Sequence, residues 1–103
     1  MWFYNTTKNN LNSFILTILL NLIMNDQQSI EFRKNIGDNF KKIRKQKKLS
    51  LRKIEAITGV DHSWIGKFEK GLINFEIDTL HRLIDGLTIH PKKLFDFEWE
   101  FKE

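Results

Sequence analysis

His62, Ser63 and Lys67 are the side chains of this sequence best placed to do chemistry, and that chemistry is the giving and taking of hydrogen bonds. They stand in the stretch Gly-Val-Asp-His-Ser-Trp-Ile-Gly-Lys-Phe-Glu-Lys-Gly, from Gly59 to Gly71, which reads as a turn, a helix cap, a short helix and a stop. Gly59 supplies the left-handed backbone that a tight helix-to-helix turn needs, and the Asp61 carboxylate can accept from the amides that open the next helix. At helical spacing Ile65 and Phe68 point one way while His62, Ser63, Gly66 and Lys67 point another, so the second face is polar, short and exposed. Just upstream, Lys41, Lys42, Arg44, Lys45, Lys47, Lys48, Arg52 and Lys53 form a block that contains no acid. A positive block beside an exposed polar helix favours a polyanion, and nucleic acid in particular. A solvated helix face accounts for the lysines equally well when they are taken alone.

Other chemistries find little support. His62, His81 and His90 are dispersed, and no Ser/His/Asp set, carboxylate pair or Gly-rich phosphate loop suggests itself. No enzyme activity and no cofactor is therefore expected. Metal-type ligands do not cluster along the chain, so no metal site is expected either. With no cysteine, the protein must be stabilised by packing, as expected for a reducing cytoplasm. A chain of 103 residues has room for one small core. The formal charge of +4 is modest, but Asp96, Glu98, Glu100 and Glu103 make the C-terminus acidic and leave the positive charge concentrated near the middle.

The elements that must position these residues are helices. Phe32, Ile36, Phe40 and Ile43 recur every three to four residues and predict a first long helix that starts near a cap at Asn25 or Asp26 and ends near Lys47. Ser50 caps a second helix with Leu51, Ile54 and Ile57 as its buried stripe, and Asp61 caps the third. A loop, Leu72 to Phe75, leads to a fourth helix marked by Ile77, Leu80, Leu83, Ile84 and Leu87. Pro91 suits the first turn of a short fifth helix ending at Phe95. The expected fold is an all-α compact bundle of five helices.

Both ends depart from this pattern. Residues 1–23 are rich in Asn and Thr and then apolar from Phe14 to Ile23, a run about half of the roughly 20 residues needed to span a membrane. Two readings stay open for them: an over-extended reading frame whose true start is Met24, or an extra helix that packs on the domain or on a partner. The domain proper is expected over 24–95. In the tail, 96–103, aromatic and charged residues alternate from Phe95, which suggests a half-buried strand paired with a symmetry mate or with another segment. The alternative is an acidic tail whose aromatics cover the end of the core.

Arg44, the Leu49-Ser50 pair, Gly59-Val60, Ile65, Glu69, Gly71, Thr79-Leu80 and Leu94-Phe95, in this order over about Ile36 to Phe95, resemble the helix-turn-helix domain of the Cro and phage-repressor type. The resemblance implies a sequence-specific transcriptional regulator, a homodimeric repressor in the cytoplasm, that reads double-stranded DNA with the helix after Asp61. By family position His62, Ser63 and Lys67 would meet the bases, and Ser50, Lys70 and Asn74 the phosphates, with Arg52, close to Ser50, as an addition to them. Arg44 and Glu69 match a pair that joins the first helix to the end of the third; Arg44 as one of eight wet cations is the alternative. Departures from the family pattern are Leu51 for a backbone-contacting Gln, Glu55 for a small Ala, Lys48 for the Gly that ends the first helix, and Phe75 for a Pro. A competing function is a protein-binding module, such as an antitoxin that caps a toxin with its aromatic ends.

Overall fold

A computed structural model of the protein describes the backbone of residues 2–101 and the side chains of 11–23 and 26–101. It contains five helices, α1 (Trp2–Gln46), α2 (Leu51–Thr58), α3 (His62–Glu69), α4 (Ile77–Leu87) and α5 (Pro91–Leu94). No strand occurs among the described residues. The longest dimension is 69 Å, against 26 and 19 Å for the others, because α1 projects far beyond the bundle.

The start of α1 differs from the expectation. Asn25 and Asp26 do not cap a new helix; a single helix of 45 residues passes through them. The physical reason is the absence of a breaker, since the first Gly or Pro of the chain is Gly37. Gly37 serves another purpose. A Cβ there would overlap the Phe68 carbonyl oxygen and lie 2.6 Å from that of Glu69, so its bare backbone is what lets α1 approach the end of α3.

The expected caps of the shorter helices are present. The Ser50 hydroxyl accepts from the Lys53 amide at 3.0 Å, and the Asp61 carboxylate accepts from that of Trp64 at 3.1 Å. Gly59 ends α2 at φ 78°, and Pro91 opens α5 with His90 accepting from the Lys92 amide at its cap. At the end of α1, where a Gly is usual, Lys48 takes up the left-handed conformation at φ 59°. A side chain there is strained. Lys48→Gly is therefore expected to stabilise the domain by about 0.5–1 kcal/mol, read as a Tm rise of roughly 4 °C by circular dichroism. An unchanged or lower Tm would mean that the lysine side chain compensates the strain.

The core draws on every helix: Ile36 and Phe40 from α1, Ile54 from α2, Ile65 and Phe68 from α3, Leu80, Leu83 and Leu87 from α4, and Leu94 from α5. Phe68 is its aromatic centre, with the rings of Phe40, Trp64 and Phe75 at 5.1–5.5 Å. Two expected core positions are corrected. Ile57 is 45% exposed because it borders an open polar cleft between α2 and α4, and Ile77, the first residue of α4, is 72% exposed.

The described part of the tail, through Phe101, forms no strand. Phe97 and Trp99 instead meet Phe32 of α1 edge-on at 5.5 and 5.2 Å. The Asn39 amide donates to the carbonyls of Leu94 and Asp96, which holds the start of the tail against α1. Period-two alternation here places aromatics on one side of an extended cover rather than in a ladder.

Candidate functional site

Besides the shared core, a buried ion pair ties the α2-turn-α3 unit to α1. Arg44 Nε donates to Glu69 Oε2 at 2.7 Å and a terminal guanidinium nitrogen to Oε1 at 3.1 Å, while the other donates to the Leu49 carbonyl at 3.0 Å. Glu69 is 5% exposed and Arg44 12%. Their bidentate geometry fixes both the end of α3 and the turn into α2 against α1. Among the eight cations of the basic block, Arg44 is thus withdrawn from solvent, whereas Lys41, Lys42, Lys45, Lys47, Lys48, Arg52 and Lys53 are exposed.

The three side chains singled out as base readers lie along the polar face of α3, His62 and Ser63 in its first turn and Lys67 in its last. Lys67 and Ser63 are exposed and His62 is half-buried. Glu55, from the preceding helix, places a carboxylate oxygen 2.9 Å from His62 Nδ1. An ionised carboxylate only accepts, so Nδ1 carries the proton; Nε2 then accepts when the ring is neutral and donates when it is protonated. The Ser63 hydroxyl donates to the Asp61 carboxylate, which leaves its lone pairs free. That hydrogen bond, followed by the one from the Trp64 amide, holds the Asp61 carboxyl below its usual value. Ser63 is therefore set to accept, and Lys67 is a donor. The donating role anticipated for His62 toward guanine N7 holds only for the protonated ring.

Glu55 is the residue that sequence reasoning missed. Its departure from the small residue expected there was visible, but its partner lies seven positions away across a turn. Spacing along the chain also conceals that the fold gathers Glu55, Asp61 and His62, with one ligand-type atom from each lying within 4.8 Å of the others. Trp64 stacks on Phe68 with the ring planes 10° apart and serves packing.

The residues assigned to phosphates all lie at the surface. Ser50 and Arg52 stand at the N-terminus of α2, and Lys70 and Asn74 follow α3. The cap hydrogen bond uses a lone pair of the Ser50 oxygen, so the hydroxyl proton remains available to an anion. A concavity of about 260 Å³ brings Leu51 at the start of α2, Gly66 and Lys70 of the α3 region, and Lys34 and Lys41 of α1 to one place. Lys34 is paired with Asp38 at 3.1 Å. Lys41 adds a cation beside Lys70 that the family positions do not single out. Asn74 lies apart, on a cavity of about 490 Å³ bordered by Phe32, Phe75 and Trp99.

Among the described residues, no helix is long and apolar enough to cross a membrane. Comparison with known proteins places the geometry in a family context. A family model described as Helix-turn-helix matches residues 40–94. An uncharacterized HTH-type transcriptional regulator of Sinorhizobium fredii is 30% identical over 65 residues, which cover 63% of this chain and 84% of that relative. The crystal structure of the restriction-modification controller protein C.AhdI from Aeromonas hydrophila superposes with a TM-score of 0.61 at 27% identity, covering 65% of this chain and 97% of that one.

Proposed function

The chain belongs to the Helix-turn-helix family of DNA-binding regulators, and on that premise we propose that it is a homodimeric transcriptional repressor that lays α3 in the major groove. The observation that carries this reading is the clamping of α3 by Arg44 and Glu69 while its opposite side stays polar and open. A helix that must enter a groove has to be held from behind, and the clamp holds it there. Likeness to a named transcriptional regulator and to a restriction-modification controller supports a role in gene control. We take residues 24–95 as the DNA-binding unit, with 1–23 and 96–103 as additions to it.

In this reading Lys67 donates to guanine O6 or N7, while Ser63, and His62 when its ring is neutral, accept from the amino groups of adenine or cytosine. Ser50, Arg52, Lys70 and Asn74, with Lys41, anchor the phosphates and set the register without reading sequence. The antitoxin alternative finds less support, because Phe97 and Trp99, two of the tail aromatics that would cap a partner, are engaged with Phe32.

Binding-site selection with Lys67→Ala and Lys70→Ala tests the assignment. Lys67→Ala should relax the preference at one base position, costing about 1–3 kcal/mol there, whereas Lys70→Ala should weaken all sequences alike. Equal behaviour of the two variants would overturn the division into reader and anchor.

A further inference from the structure

We propose that residues 11–23 of α1 are the surface through which two copies of this chain pair. Of the sixteen large apolar side chains that are exposed among the described residues, nine lie in this segment. Leu11, Ile15, Ile18 and Leu22 follow one another at spacings of four, three and four, the seam by which one helix packs along another. Leu16, Leu19 and Ile23 repeat the spacing one residue further round, so the apolar surface wraps more than one side.

Several observations select a second copy as the occupant. With about half of each side chain exposed, the segment offers on the order of 800 Å² per protomer, as much as one side of a standard specific interface, of which a single partner helix would cover the part along the seam. A single-chain monomer seldom exposes more than roughly 300–600 Å² in one apolar patch. No residue from 11 to 23 is charged, so a copy meets no repulsion and a charged partner meets no counterpart. The narrow polar strip of Ser13, Thr17 and Asn21 is uncharged too, unlike the Lys- and Arg-rich polar face of a helix that lies on a lipid surface. Thr17 already donates to the Ser13 carbonyl at 2.9 Å and asks nothing of a partner.

The other faces that could pair are poorer. Phe97 and Trp99 of the tail are engaged with Phe32, and the outward side of α4 carries Asp78, His81, Arg82 and Asp85. Because α1 continues without a break from this segment to Ile36 and Phe40 in the core, pairing here would fix the two domains relative to each other with no flexible linker. The inference rests on the two-copy reading proposed above and supplies its interface.

Sedimentation of the full chain at micromolar concentration, beside the double variant Ile18→Glu/Leu19→Glu, tests it. Both replaced side chains are exposed, so the variant should keep the helical circular dichroism spectrum of the parent. Expected are a dimer, or a dimer of dimers, for the full chain and a monomer for the variant, with at least a tenfold loss in affinity for DNA carrying two half-sites. A monomer in both cases, a dimer in both, or a full chain that is monomeric in buffer and co-floats with phosphatidylcholine/phosphatidylglycerol vesicles would each overturn the proposal. A full chain that pairs through this segment yet binds no duplex would uphold the pairing and defeat the DNA reading. A monomer that binds duplex would do the reverse.

Discussion

Replacing Arg44 or Glu69 with alanine is expected to destabilise the domain by about 3–5 kcal/mol, because each change leaves a charge buried without its partner. For a domain of this size that corresponds to a fall in Tm of roughly 12 °C or more. The expectation follows from burial and geometry together. At 5% and 12% exposure the two side chains have lost most of their hydration, and the two short hydrogen bonds between them are what replaces it. Removing Arg44 also deprives the Leu49 carbonyl of its donor at the turn into α2. The double replacement Arg44→Met/Glu69→Leu should recover most of the loss, since apolar residues of similar volume carry no desolvation penalty. Single variants that shift the melt by less than about 1 kcal/mol would class the pair with ordinary surface ion pairs. Should the double variant be stable but bind DNA poorly, the pair would be shown to set the angle of α3 rather than merely hold it.

The parts of this fold that local chemistry decides were legible in the sequence. Ser50 and Asp61 each bond an amide of their own helix, Gly59 is where the chain must turn left-handed, and Pro91 opens α5, so the bounds of the short helices could be read directly. The beginning of α1 was not legible. Asn25-Asp26 has the composition of a cap, but capping is an option that a helix with no breaker need not take, and nothing between Trp2 and Gly37 ends it. Ile57 and Ile77 keep the period of their helices yet lie at the rims, where the core no longer covers them. Periodicity identifies a face and cannot say how far along a helix the neighbour extends.

For the site the division is similar. The polar face of α3 follows from helical spacing, but the hydrogen bonds that commit His62 Nδ1 to Glu55 and set Ser63 as an acceptor come from residues around a turn and are visible only in three dimensions. The Arg44–Glu69 pair spans 25 positions, so no local pattern points to it, and the family resemblance alone brought the two residues together. The tail shows the converse case, in which a clear local period admitted both a strand and a cover, and the proximity of Phe32 decided between them.

DNA affinity is expected to fall steeply with salt, and by more than any base-contact variant would lower it. Arg52, Lys70 and Lys41 are exposed cations at the α2 N-terminus and beside α3, so two to three per protomer give about four to six neutralised phosphates for a pair, and log K should fall with log salt at a slope of about −4 to −5. Between about 50 and 200 mM salt that slope is a loss of roughly 250- to 1,000-fold, measurable by fluorescence anisotropy on a duplex with two half-sites. The buried Arg44 should contribute nothing to it, because its charge is already matched by Glu69 and releases no counterion. Lys70→Ala should reduce the slope by about 1 for each phosphate it no longer neutralises, or about 2 for a pair. Lys67→Ala should leave it nearly unchanged if that side chain meets a base. A monomer that binds one half-site should show about half the slope, which ties this measurement to the pairing of α1. A slope near zero would remove nucleic acid as the main partner, and the polar face of α3 would then have to be explained as solvated surface.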